Sequence, residues 1–193
     1  MRTDPLLCAL FLIVAFVLAG LAHSAWLRSP VSRRLSIPLD GGARFRGRRI
    51  FGDNKTIRGF VVMIPAAAAT FGALALAAGV SPTIRSGLWD LTPAGYTVLG
   101  AWAALGFMLG ELPNSFVKRQ LDIGPGEAAG GRTAAVIGFV VDRLDSIVGM
   151  LAAVSVAVPT SRSTWLWVFV LGPAIHWSFS VLLYRLGVKA RPA

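Results

Sequence analysis

The sequence predicts an all-α integral membrane protein of about five transmembrane helices, and three observations carry that prediction. Of its 193 residues, 55% are hydrophobic, above the roughly 45 to 50% apolar content of soluble domains even when glycine is counted. The charged residues, 15% of the chain, fall in clusters between long uncharged runs instead of spreading over faces. Five runs are long enough to cross about 30 Å of hydrocarbon at 1.5 Å per residue. They are approximately residues 5–26, 60–80, 94–117, 133–159 and 164–184. They use up the length, so the chain reads as a single polytopic domain with cytoplasmic loops at 28–59 and 118–132.

The first run differs from a cleavable signal peptide: its apolar core is too long, MRTD before it carries little net charge, and its arginines follow it. It is read as a retained span. The one cysteine, Cys8, lies within it, which excludes a disulfide within the chain and cysteine-ligated zinc. The second run contains PAAAATFGALALAA, small residues suited to close helix packing.

The net charge of +10 is concentrated. Residues 28–59 hold Arg28, Arg33, Arg34, Arg44, Arg46, Arg48, Arg49, Lys55 and Arg58 against Asp40 and Asp53; Lys118, Arg119 and Arg132 follow the third run, and Arg185, Lys189 and Arg191 the fifth. The other two loops carry Arg85 and Arg162 as their basic residues. The positive-inside bias then places the N-terminus outside and the C-terminus in the cytoplasm, in an integral cytoplasmic (inner) membrane protein. Topology and attraction to anionic lipid account for most of this charge. Nucleic acid is excluded as a partner, since no recognition motif or aromatic-interleaved basic surface accompanies it.

The third and fourth runs carry charges where a span should have none. In VIGFVVDRLDSIVGMLAAV, Asp142, Arg143 and Asp145 stand in the middle of an apolar helix, at a cost of roughly 2.5 to 3.5 kcal/mol each at the bilayer centre. Asp142 and Asp145 are three residues apart, on one helical face. Two readings stand at this point: an interhelical ion pair, to Arg143 or Lys118, or a magnesium site, since that ion takes one or two carboxylates and completes its shell with substrate phosphates.

In GELPNSFVKR, Glu111, Asn114, Ser115 and Lys118 fall at i, i+3, i+4 and i+7, a continuous polar stripe that faces protein or water. Pro113 within it is expected to kink the helix beside a cavity. Lys118 and Arg119 at its cytoplasmic end suit phosphate oxygens, one as a point charge and one as a fork. The glycine-rich IGPGEAAGGRT that follows is a linker or a backbone cradle for phosphate. Asn54, Lys55 and Thr56 in FGDNKTIRGF have the composition to bind phosphate or a polar base, or form a turn that caps the next helix. His23 and His176 are placed near the outer face in packing or interface roles.

Taken together, these segments resemble the CTP-dependent lipid cytidylyltransferases of membranes. The short CDP-archaeol synthase branch is the nearer resemblance, and the CDP-diacylglycerol synthases (phosphatidate cytidylyltransferases) the more distant. The resemblance rests on GDNKTIRG from Gly52 to Gly59, GELPNSFVKR from Gly110 to Arg119, GPG from Gly124 to Gly126, and VDRLDSIVG from Val141 to Gly149. Glu111 stands where the family usually has aspartate, and Arg143 where the archaeal branch often has glutamine.

The resemblance implies transfer of cytidylyl from CTP to a lipid phosphomonoester, giving a CDP-lipid of archaeol or diacylglycerol type and diphosphate, with one or two magnesium ions. It implies Asp142, Asp145 and Lys118 as catalytic residues. Asp142 and Asp145 would hold the metal, with Glu111 as a further candidate. Asn54, Lys55, Thr56, Asn114, Ser115, Lys118 and Arg119 would bind nucleotide and phosphates. CTP and the phosphorylated lipid are the expected partners, and the oligomeric state stays open, a homodimer included. The rival from another class is a small transporter or channel with a charged gate, which inverted repeats or polar residues in most spans would favour; neither is evident. A CDP-alcohol phosphotransferase lacks its aspartate-rich signature here.

Overall fold

The computed structural model describes residues 3–124, 127 and 130–185. Five long helices dominate it: α1 (Pro5–Leu27), α3 (Ile57–Ala78), α5 (Pro93–Gln120), α6 (Arg132–Ala157) and α7 (Arg162–Arg185). Their ends lie close to those of the five apolar runs. Two of them, α1 and α3, are long and apolar enough to cross a membrane by composition alone. The segments between them are more structured than loops. Short helices α2 (Pro30–Arg34) and α4 (Pro82–Gly87) and a two-stranded hairpin, β1 (Arg44–Phe45) with β2 (Arg48–Arg49), fall there. The all-α expectation is corrected to that extent. The hairpin turns on Arg46 and Gly47, both at positive φ (51° and 80°), the tight turn whose twist matches paired strands.

Local chemistry explains the helix starts. Asp4 caps α1, its Oδ1 accepting from the amides of Leu6 and Leu7 at 2.8 and 3.0 Å, with Pro5 in the first turn. Ser81 and Thr92 cap α4 and α5 in the same way. Thr56 occupies the cap position of α3 but makes no side-chain capping bond, so the capping role expected for it is not the one its hydroxyl plays. The helix of α5 continues through Pro113.

The helix α5 is the centre of the bundle, packed against α3 on one side and α6 on the other, while α1 packs against α3 and α7. The core joins Phe11, Phe71 and Tyr96, with ring centroids 5.3 Å (Phe11 to Phe71) and 5.0 Å (Phe11 to Tyr96) apart. The Tyr96 hydroxyl donates to the Trp89 carbonyl at 2.8 Å, and Arg85 donates to the carbonyls of Trp89 and Leu91 at 2.9 and 2.8 Å, which closes the α4–α5 connection.

Glycines set how closely the helices approach. A Cβ on Gly149 of α6 would lie 2.2 Å from the Gly106 carbonyl oxygen and 2.7 Å from the Gly110 Cα of α5. Gly106 and Gly110 are one turn apart, the small-residue spacing that lets backbones touch in membrane helices. This contact brings the polar stripe of α5 against the charged turn of α6.

Candidate active site

Where α5 meets α6, Asn114 bridges the two aspartates. Its Nδ2 donates to Asp142 Oδ1 at 2.7 Å and to Asp145 Oδ2 at 2.8 Å. Lys118 donates to both carboxylate oxygens of Asp142, so the ion pair foreseen for Lys118 is formed. Asp145 Oδ1 accepts from the Ser146 amide at 2.6 Å and from its hydroxyl at 3.1 Å. The same hydroxyl donates to Glu111 Oε1 at 2.8 Å, and Glu111 Oε2 pairs with Lys55 Nζ. Seven side chains therefore run as one chain of contacts from Lys118 through Asp142, Asn114, Asp145 and Ser146 to Glu111 and on to Lys55 in the first loop.

That loop is held by a residue outside every motif. The side chain of Asp40 is fully buried. It accepts from Arg49 Nη2 and Nε at 2.6 and 3.2 Å and from the amides of Phe51, Gly52 and Gly42 at 2.9, 3.0 and 3.1 Å. The Arg49 guanidinium, followed by these amides, holds its carboxyl well below the usual carboxylate range. Beyond the clamp, Gly52 adopts φ +86°, and a Cβ there would lie 3.3 Å from Arg119 Cδ. Only glycine fits both the left-handed backbone and the close pass over Arg119. Arg48 ties the hairpin to the end of α5 through the Gln120 carbonyl and Asp122.

These residues enclose a polar pocket of about 300 Å³ lined by Asn54, Lys55, Glu111, Asn114, Ser115, Lys118, Arg119, Glu127, Asp142 and Asp145. Of the expected site residues, Thr56 alone falls elsewhere: it is buried and lines a second, larger cavity. Glu111 is committed to Lys55 and Ser146, and among the described residues no group of three acidic, histidine or cysteine side chains closes around a metal. Of the glycine-rich connector, Pro125, Gly126, Ala128 and Ala129 lie outside the described residues, while Glu127 reaches back to accept from the Gly124 amide at 2.9 Å.

The larger cavity, about 530 Å³, runs between α1, α3, α5, α6 and α7 and is walled mostly by apolar side chains, among them Leu12, Phe16, Phe60, Met63, Phe107 and Met150. It shares Asn54, Lys55, Glu111 and Asp142 with the polar pocket. His23 lines it too. It therefore stands at the end of α1 that borders the charged pocket. The side chain of His176 lies outside the described residues.

An apolar groove that shares a wall with a charged pocket is a site suited to a molecule with an apolar body and a polar head. Comparison with known proteins sharpens this class. The family model described as CarS-like, CDP-archaeol synthase, matches residues 8–192. A CDP-archaeol synthase of Halobacterium salinarum is 35% identical over 80% of this chain and 82% of its own length, and one of Pyrococcus furiosus is 34% identical over 85% and 88%. A solved structure described as an intramembrane enzyme for archaeal membrane lipids biosynthesis superposes with a TM-score of 0.61 at 25% identity, covering 93% of this chain and 97% of that one. The chain belongs to the CDP-archaeol synthase family.

Proposed function

We propose that the chain is a CTP-dependent lipid cytidylyltransferase that binds its lipid in the apolar cavity and CTP in the polar pocket. The reaction would then occur where the two meet. The observation that carries this reading is the shared wall of Asn54, Lys55, Glu111 and Asp142: a lipid phosphate at the mouth of the groove and a nucleotide α-phosphate in the pocket would approach each other there.

In the proposed reaction an oxygen of the lipid phosphomonoester forms a bond to the α-phosphorus of CTP. The bond from that phosphorus to the bridging oxygen breaks, and diphosphate leaves with its electron pair. A phosphomonoester is largely dianionic at neutral pH, its second pKa being about 6, so the step needs no strong general base. Positioning and charge neutralisation carry it. Lys118 and Arg119 would hold the triphosphate, Lys55 would sit between the two phosphates, and Asn54, Asn114 and Ser115 would orient the nucleotide.

The charge of the pocket supports magnesium as a cofactor. Four carboxylates, Glu111, Glu127, Asp142 and Asp145, face three cations, Lys55, Lys118 and Arg119, so a triphosphate entering alone would meet an excess of negative charge. Asn114 Nδ2 contacts an oxygen of both aspartates, which marks a point where a cation would reach the pair. Magnesium bound there would neutralise charge on the triphosphate and the leaving diphosphate. Asp142 and Asp145 are the residues proposed to hold it.

The proposed topology is five spans with the N-terminus outside and both the active site and the C-terminus cytoplasmic, supported by the basic residues of 28–59 and 118–132. Family membership gives no support to a transporter.

Purified protein incubated with labelled CTP, magnesium and a panel of phosphorylated ether-isoprenoid and acyl-ester lipids should yield labelled lipid and diphosphate in equal amounts. Absence of labelled lipid across the panel would overturn the reading.

A further inference from the structure

The cations around the two cavities divide by compartment and by pairing. Lys118 and Arg119 line the polar pocket, Arg58 and Arg143 the apolar cavity, and Lys55 both. Lys55 is paired with Glu111 and Lys118 with Asp142. Arg143 lies 3.3 Å above the Phe139 ring and donates to the Phe139 carbonyl at 3.2 Å. Arg58 and Arg119 are different. Among the described residues neither side chain makes an ion pair or a hydrogen bond, although Arg58 is half-buried and Arg119 is 9% exposed with its Nε enclosed.

A guanidinium withdrawn from water without an anion is costly, and its planar fork matches phosphate oxygens. The described residues hold two of them, one in each compartment, and the reaction brings together two phosphate-bearing substrates. We infer that Arg58 is the anchor for the phosphomonoester of the lipid, as Arg119 is for the phosphates of the nucleotide. The inference rests on the cytidylyl-transfer reading and deepens it.

Position favours the assignment. Arg58 stands in the first turn of α3, three residues after Lys55, so a phosphate on its fork sits at the groove's mouth beside the wall shared with the pocket. His23 lines the same cavity, and its Nε2 is likewise buried without a partner among the described residues. The apolar walls beyond receive the tails. A free lipid alcohol would offer Arg58 one neutral acceptor in place of a charged pair of oxygens, so this residue would select the phosphorylated lipid.

The test is a pair of variants of the full-length protein, each assayed with one substrate varied while the other is saturating. Arg58→Gln should raise the KM for lipid phosphate on the order of tenfold and leave that for CTP within about twofold; Arg119→Gln should do the reverse. Arg58→Lys, which keeps the charge and loses the fork, should fall between, and it serves in place of Arg58→Gln if that variant unfolds. An Arg58 variant that raises the KM for CTP as much as that for the lipid, or leaves the lipid KM unchanged, overturns the assignment.

Binding of the lipid phosphate and of the matching lipid alcohol, measured without CTP, separates the two levels. If the parent prefers the phosphate through Arg58 yet makes no CDP-lipid, the transfer reading falls and the subsite stands. If it makes CDP-lipid and Arg58→Gln keeps the preference, the subsite falls and the transfer reading stands.

Discussion

The two halves of α5 meet their neighbours by the same device and with opposite contents. In the first half, Tyr96, Leu99, Ala103 and Ala104 are buried, and a Cβ on Gly100 would lie 2.5 Å from the Ala67 carbonyl oxygen and 2.8 Å from Phe71. In the second half a Cβ on Gly110 would lie 2.5 Å from the Asp145 carbonyl oxygen, but what the close approach brings together is Glu111, Asn114, Ser115 and Lys118 with Asp142, Asp145 and Ser146. Apolar packing tolerates small displacements because dispersion is non-directional and spread over many atoms. The polar half does not, since each bond depends on distance and angle. The dry half fixes the helix pair, and the wet half uses that rigidity to aim its carboxylates.

The comparison breaks most severely at the aspartates. Asp142→Asn and Asp145→Asn should each lower cytidylyl transfer by about two orders of magnitude or more. The thermal midpoint in detergent should stay near that of the parent in Asp145→Asn, since among the described residues that aspartate pairs with no cation, and should fall in Asp142→Asn, which leaves Lys118 without its ion pair. A loss of activity in Asp145→Asn that only followed a lost fold would mark that aspartate as a structural partner instead.

The glycines give the next largest effect and sharpen the contrast between halves. Gly149→Ala and Gly100→Ala should each cost about 1 to 3 kcal/mol by overpacking, read as a lowered midpoint. Their activities should differ. Gly149 lies one turn beyond Asp145, so its displacement should reduce turnover per folded molecule, whereas Gly100→Ala should leave turnover per folded molecule unchanged. Equal losses of turnover would remove the distinction drawn here between the halves.

Much of this was legible in the sequence because it is periodic or local. The spacing of Glu111, Asn114, Ser115 and Lys118 marks one helical face, and so does that of Asp142 and Asp145; both faces line the pocket. Pairing across the fold was not legible. Lys55 reaches Glu111 over 56 positions, and Asn114 reaches Asp142 over 28, separations at which sequence pattern carries no geometric information. Ser146 joins Glu111 to Asp145, yet a serine beside an aspartate carries no signal until the facing helix is in place. Asp40 reads as one of two acids in a basic loop, and its role appears only when the chain folds three backbone amides onto it. Thr56 belongs to a motif by sequence, but the helix start turns it toward the apolar cavity. The hairpin escaped because strands of two residues have no period to detect.

The central claim is that Asp142 and Asp145 bind metal and nucleotide together, and ligand-induced stabilisation tests it most directly. With magnesium and CTP at about a hundred times their dissociation constants, the parent's thermal midpoint in detergent should rise by roughly 5 to 10 °C, the consequence of a ligand that binds only the folded state. CTP without magnesium should raise it far less, and Asp145→Asn should show almost no rise with both present. A full rise in Asp145→Asn, or one independent of magnesium in the parent, would contradict the account.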